Sequence, residues 1–304
     1  MAYDLTDPLV IGISSRALFD LEKENEIFEQ QGLEAYAAYQ LAHEKEVLPR
    51  GPAFSLVEAF LNLNTLQKDR LVEVIIMSRN SPDTSLRIFN SIKHYGLDIE
   101  RAALVGGGSI APYLKAFRTD LFLSAYEDDV TRAVNSGVAA GAILTGNVPP
   151  AAQNLDPIRI AFDGDAVLFS AESERIYKQQ GMDAFYRHEV MQADVPMEKG
   201  PFANFLQTLA HIQSLFADRE QAPIRTALVT ARSTPGHERA VKTLRSWGVR
   251  VDEAFFLGGV PKKEILGAFG AHIFFDDQRT HAEPASELLA AAVVPYREGD
   301  DPRK

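Results

Sequence analysis

Ile160-Ala161-Phe162-Asp163-Gly164-Asp165-Ala166-Val167-Leu168-Phe169 places two carboxylates two residues apart where an apolar strand ends. In an extended chain, residues i and i+2 point the same way. Asp163 and Asp165 therefore face one sheet edge, and Gly164 lets the backbone turn between them. The C-terminal edge is where open α/β sheets bind ligands. Two carboxylates so placed can divide nucleophilic and acid/base duties, although Asp-Gly-Asp taken alone is also an ordinary turn.

Three further segments follow in order, each closing an apolar run. Thr226-Ala227-Leu228-Val229-Thr230-Ala231-Arg232-Ser233 is a strand that ends in a hydroxyl. Ala254-Phe255-Phe256-Leu257-Gly258-Gly259-Val260-Pro261-Lys262-Lys263 is a strand and a glycine turn, then a proline suited to a helix's first turn just before a lysine. Ala271-His272-Ile273-Phe274-Phe275-Asp276-Asp277-Gln278 is a strand that ends in two more carboxylates. Separately, Thr230 reads as a helix cap, Lys262 and Lys263 as a solvated helix start and Asp276-Asp277 as a turn. Their joint order at strand ends outweighs those separate readings.

Asp-x-Asp, Thr, Lys and Asp-Asp in this order resemble the four motifs of the haloacid dehalogenase superfamily of phosphohydrolases. The strings AFDGDAVLFSAESE, LVTARS, LRSWG, FFLGGVPK and HIFFDDQ resemble more narrowly the cytosolic 5'-nucleotidase type I family. The likeness extends over nearly the whole chain, through ISSRALF, HEKE, GPAF, Ser91-Ile92-Lys93-His94-Tyr95-Gly96-Leu97 and YLKAFRTDLFLSA. It implies a haloacid-dehalogenase-like Rossmannoid α/β fold and the hydrolysis of nucleoside 5'-monophosphates to nucleoside and phosphate.

A phosphate monoester dianion repels an incoming carboxylate, and enzymes accelerate its hydrolysis by up to roughly 10^21-fold. The site must supply positive charge, and Mg2+ held by oxygen ligands is suited to this. Asp163 and one or both of Asp276 and Asp277 are the candidate ligands. By resemblance, Asp163 is the nucleophile that forms an aspartyl-phosphate, and Asp165 is the acid/base, with its backbone carbonyl on the metal. Thr230 and Ala231 would meet the phosphoryl oxygens, and Lys262 would balance their charge; Lys263 is adjacent, so that assignment could slip by one. His281 reads as a surface histidine, because an imidazole pair with His272 would suit zinc or iron better than Mg2+. The motifs specify phosphoryl transfer and not the leaving group. A phosphatase of sugar phosphates or other small phosphoesters stays open, as does a non-catalytic nucleotide-binding protein.

The chain also repeats itself. Ile27, Gln30, Gln31, Gly32, Ala35, Gly51 and Pro52 recur 149 residues later, and Ser81, Arg87, Gly96, Gly106, Gly107, Leu114 and Phe122 recur 152 residues later. The period is that of a domain, not of a solenoid repeat. Two halves are expected, a degenerate one over residues 1–150 and a catalytic one over 156–304, with Asn147 to Asn154 as linker. Across the repeat, Ser15 stands opposite Asp165, Ser78 opposite Thr230, Ile110 opposite Lys262, Ser124 opposite Asp276 and Ala125 opposite Asp277. Ile13 or Ser14 faces Asp163, depending on a one-residue gap. The first half is either a structural or regulatory partner or a non-catalytic nucleotide site built from Gly106-Gly107-Gly108-Ser109 and Ser78-Arg79-Asn80.

Alternating strands and helices predict parallel sheets with helices on both faces. First-half strands are expected at 9–13, 72–77, 102–105, 121–123 and about 142–144. Second-half strands are expected at 158–162, 226–229, 254–257, 272–275 and 292–294. A helical cap-type insertion is expected at about 170–223 in the second half. Its Tyr177, Phe185, Tyr186 and His188 read as core more readily than as ligands. At 304 residues and 46% apolar, the chain has ample core, and its net charge of −11 disfavours nucleic acid as a partner, since nucleic-acid binders usually carry a basic face. The N-terminus shows no secretory pattern, and no apolar run approaches a membrane span, so a cytoplasmic location is expected. The resemblance and the inert half also point to a homo-oligomer.

Overall fold

The computed structural model describes residues 4–146, 157–216 and 222–302. The expected linker lies outside these residues. Among the described residues ten strands form one sheet: β1 (Leu9–Ile13), β2 (Val72–Ser78), β3 (Arg101–Leu104), β4 (Leu121–Ser124), β5 (Ala139–Ile143), β6 (Ile158–Phe162), β7 (Ile224–Thr230), β8 (Glu253–Phe256), β9 (Ile273–Asp276) and β10 (Ala290–Val293). Their order is β3-β2-β1-β4-β5-β10-β9-β6-β7-β8. Pairing is parallel on either side of the middle, as continuous apolar runs such as Val10-Ile11 and Ile75-Ile76 require when helices cover both faces.

The middle pair differs from the expected all-parallel arrangement. β10 runs antiparallel to β5, with Ala292 opposite Ile143 and Val293 opposite Ala142. Strands of the second half therefore run opposite to those of the first, and the two sets of C-terminal strand ends lie on opposite edges of one sheet. β5 begins at Ala139, three residues before its expected start, because Ala139-Ala140-Gly141 is a poor strand former by composition and is extended here by burial. The seam needs small residues: a Cβ on Gly141 would sit 2.8 Å from that of Ala292.

On one sheet face a single apolar cluster runs through both halves, from Leu9 and Phe54 to Phe205, Phe275 and Val294. The opposite face carries two separate clusters, one around Phe122 and one around Phe274. The Phe54–Asn62 helix touches β6, so the first half helps to seat the strand that ends in Asp163. Phe162, Phe202 and Phe275 meet there with centroids 4.5 to 6.2 Å apart, each ring contributing about 2–3 kcal/mol by burial.

The helical insertion is not confined to the second half. Glu172–Gln180 and Met182–Met191 are broken at Gly181 (φ 82°), and the Glu22–Ala42 helix is broken at Gly32 (φ 84°). Each insertion returns through an antiparallel bridge, Phe19 with Arg50 and Phe169 with Lys199. A glycine follows each bridge because the backbones nearly touch. A Cβ on Gly200 would lie 2.4 Å from the Phe169 carbonyl oxygen and 2.5 Å from that of Val167. Gly200→Ala is expected to destabilise the fold by about 3 kcal/mol, read as a lower urea midpoint at unchanged slope. An unmoved midpoint would show that the loop yields.

Candidate active site

Asp163 follows β6, and its N–H donates to the Phe275 carbonyl at 2.8 Å, which keeps the chain extended one residue past the strand. A wide turn over Gly164–Leu168 follows, with Ala166 at φ 61°, a conformation uncommon outside glycine. Gly164 passes close beneath Thr230, the last residue of β7: a Cβ there would lie 3.2 Å from Thr230 Oγ1. Lys262 opens the helix after Pro261, and Asp276 closes β9. The order β9-β6-β7-β8 thus brings the four segments to one edge.

Asp163, Asp276 and Asp277 each offer an oxygen within 4.8 Å of the others. Lys262 Nζ lies 2.7 Å from Asp163 Oδ1 and 2.6 Å from Asp276 Oδ2, all nearly solvent-free. The contact with Asp276 is a hydrogen bond; that with Asp163 is an ion pair whose angles do not make one. Lys263 instead pairs with Glu287 at the surface, so helix phase settles which lysine turns inward. Burial pushes the Asp163 carboxyl up to about 6, Lys262 opposing and Asp276 adding to the rise. Burial and the Asp163, Asp276 and Glu174 charges hold Asp277 well above the carboxylate range. For Asp276, burial is outweighed by Lys262 and His281, and its pKa is lowered. Burial disfavours the Lys262 ammonium, but Asp163 and Asp276 outweigh it and raise its pKa.

Two oxygens of this cluster, Asp163 Oδ1 and Asp277 Oδ1, are buried and accept no hydrogen bond. Hard oxygen donors with unsatisfied lone pairs fit a divalent cation such as Mg2+. The other Asp277 oxygen accepts from the Tyr296 hydroxyl, which also reaches Glu174 Oε2 at 3.1 Å.

The Asp165 side chain stands apart from that cluster. Arg232 takes both its oxygens, at 2.8 and 2.6 Å. Arg232 is also paired with Glu189 of the Met182–Met191 helix. A cavity of about 330 Å³ opens above Asp163, Asp165, Thr230, Ala231 and Lys262. Its roof carries Tyr177, Phe185 and Tyr186; Phe185 is buried, in keeping with the core reading, whereas Tyr177 is exposed, and His188 turns to Arg239 instead. His281 is not a bystander at the surface: it lines the cavity, and its Nδ1 lies 3.3 Å from Asp276. His272 is remote in role, accepting the Arg159 N–H at the start of β6. A larger cleft of about 920 Å³ lies behind Asp277 and Tyr296, without Asp163 or Lys262 on its walls.

Across the repeat, Ser14 takes the place of Asp163, since its N–H donates to Leu123 as that of Asp163 does to Phe275. Ser15 and Ser78 hydrogen-bond each other at 3.1 Å, and Ile110 is buried where Lys262 would stand. The amides of Gly106, Gly107 and Gly108 already donate to Asn80, Arg79 and Val105, so the glycine turn offers no amide cradle for an anion. Arg16 and Arg79 stand against the Tyr126 ring, at 5.4 and 5.5 Å.

A family model for 5'-nucleotidases matches residues 1–301. Over 298 residues the chain is 40% identical to a human protein named cytosolic 5'-nucleotidase 1B, covering 95% of this chain and 49% of that one. The chain thus spans about half the length of that relative. Among the described residues, no helix is long and apolar enough to cross a membrane.

Proposed function

Because this chain belongs to the 5'-nucleotidase family, we propose that it hydrolyses nucleoside 5'-monophosphates to nucleoside and phosphate through an aspartyl-phosphate on Asp163. One observation carries the mechanism: Asp163 lies on a cavity floor between a buried lysine and two further carboxylates. An Asp163 oxygen attacks phosphorus, the bond to the ribose oxygen breaks, and Asp165 gives that oxygen a proton. Water then loses a proton to Asp165 and attacks phosphorus, which breaks the bond to Asp163 and frees phosphate. Thr230 and the Ala231 amide would donate to the phosphoryl oxygens, and Lys262 would offset their charge. Asp163, Asp276, Asp277 and the Asp165 main-chain carbonyl would hold Mg2+, which lets a carboxylate and a phosphate dianion approach each other. The roof aromatics give a nucleobase a stacking surface, which favours a nucleotide over a bare sugar phosphate.

We further read residues 1–150 as a degenerate copy of the catalytic half, whose insertion at about 170–223 acts as the cap. The overall pattern is that of the haloacid dehalogenase superfamily. The cytoplasm is the compartment proposed, in keeping with the name of the human relative.

The test is phosphate release from nucleoside 5'-monophosphates and sugar phosphates, with Mg2+ and with EDTA. Release restricted to sugar phosphates would keep the chemistry and discard the substrate. No release with any metal would discard the chemistry.

Protons and metal compete for the same oxygens, which sets a pH dependence. A carboxyl raised from its ordinary value to about 6, as in Asp163, favours folding fully below pH about 4 and loses that contribution as pH rises through about 6. Asp277 shifts in the same direction and Asp276 in the opposite one. Mg2+ affinity is therefore expected to rise roughly tenfold per proton displaced for each pH unit between 5 and 6. Calorimetric titrations in that range check this, and a pH-independent affinity would contradict it.

A further inference from the structure

The Asp165 carboxylate lies outside the Asp163, Asp276 and Asp277 cluster and is gripped by an arginine. Arg232 Nε and Nη2 donate to its two oxygens, and Nη1 donates to Glu189 Oε2 at 2.5 Å and to the Gly236 carbonyl at 3.3 Å. Met197 Sδ lies 3.2 Å from Nη2, and the Phe169 and Phe185 rings flank the guanidinium at 5.8 and 5.5 Å. The Arg232 side chain is 2% exposed and that of Glu189 0%, against 18% for Asp165. Glu189 also accepts from Ser173 Oγ at 2.8 Å and pairs with Arg239 at 3.2 Å. Charges thus run without a gap from the catalytic turn through Arg232 into the roof helix.

The repeat separates what the fold needs from what the chemistry needs. Arg239 has a counterpart in Arg87, which is buried and donates to Gln40, the residue opposite Glu189, at 3.3 Å. That arginine survives in the half without catalytic carboxylates. Arg232 does not: the residue 152 positions earlier is Asn80. No carboxylate stands for Asp165 there, since the Phe19 N–H donates to Ser15 as that of Phe169 does to Gly164, and Arg16 and Ala17 follow Ser15. The arginine disappears together with the carboxylate it holds.

We propose that Arg232 is the positioning residue for Asp165, fixing its carboxylate toward the leaving oxygen and tying that orientation to the roof helix through Glu189. This rests on the reading of Asp165 as acid/base given above. A planar fork holding both oxygens defines the plane and the rotamer of the carboxylate, which a lysine's point charge cannot do. Placement by about 1 Å is worth roughly 100-fold in rate.

The test is a double-mutant cycle on nucleoside monophosphate hydrolysis. Arg232→Lys is expected to lower kcat about 100-fold with KM within about threefold, and to have no further effect once Asp165 is Asn. Glu189→Gln should lower kcat in the same manner by a smaller factor. If Arg232→Lys does not fold, the double variant Asp165→Asn/Arg232→Gln, which neutralises both partners, replaces it and should match Asp165→Asn alone. A loss that is equal with and without Asp165, or one carried by KM, would assign Arg232 to the substrate and overturn the proposal. Unchanged kcat in Arg232→Lys, with Asp165→Asn impaired, would overturn it while leaving the hydrolytic mechanism intact. Full activity in Asp165→Asn would instead overturn the acid/base role from which the proposal starts.

Discussion

Asp163→Asn is expected to reduce kcat by about 10^4- to 10^6-fold, the scale on which removing a nucleophile acts. The amide is nearly isosteric and Lys262 keeps its pairing with Asp276, so the expected loss is chemical and not structural. Nucleotide should still bind, because Thr230, Lys262 and the roof aromatics remain. Rapid-quench labelling with 32P-nucleotide should trap phosphoprotein in the wild type and none in the variant. A variant that keeps a tenth of wild-type turnover would remove Asp163 from the role of nucleophile.

The second large effect belongs to Lys262. Its ammonium sits between Asp163 and Asp276 and is 4% exposed. Lys262→Met leaves these carboxylates buried without their cation, and breaking a buried pair by deleting one partner costs about 3–5 kcal/mol. At pH 7 the variant should lose that much unfolding free energy, read in urea titrations, and lose about 10^2- to 10^3-fold in kcat through the missing charge on the phosphoryl group. Lys263→Met, which removes a surface pair with Glu287, should change stability by less than about 1 kcal/mol and leave turnover unaltered. Equal effects of the two substitutions would show that the interior ammonium carries no special weight.

The sequence made legible what is local and periodic. Strand-end residues announce themselves through apolar runs, so the sequence itself places Asp163, Thr230, Asp276 and Asp277 on one edge. The sequence favours Lys262 but leaves room for a slip to Lys263, because that choice depends on the phase of a helix whose start is uncertain by one residue. Arg232 lay inside a quoted motif, yet its partners Asp165 and Glu189 are 67 and 43 residues away, and no spacing rule links them. Tyr296 reaches Asp277 from a segment with no motif at all. Tyr177 and Tyr186 read as core because apolar periodicity does not distinguish a helix face over a protein interior from one over a cavity, while Phe185 is both buried and on the cavity wall. Nor does it distinguish two sheets from one, since the β5–β10 pairing spans only two residue pairs, Ala292 with Ile143 and Val293 with Ala142, and no pattern in the sequence links them.

That pairing also dictates an order of assembly. During synthesis β5 emerges while β10 is still about 150 residues from being made, an interval of roughly 8 to 30 s at ordinary elongation rates. For that time the nascent chain presents an unsatisfied strand edge and one side of an apolar cluster that only later segments complete, a state prone to mispairing and attractive to chaperones. The Leu144 N–H, which donates to Ala291 across the seam at 3.0 Å, is a reporter of its closure. In pulsed hydrogen exchange during refolding, its protection should appear in the last phase, after that of β1 and β2.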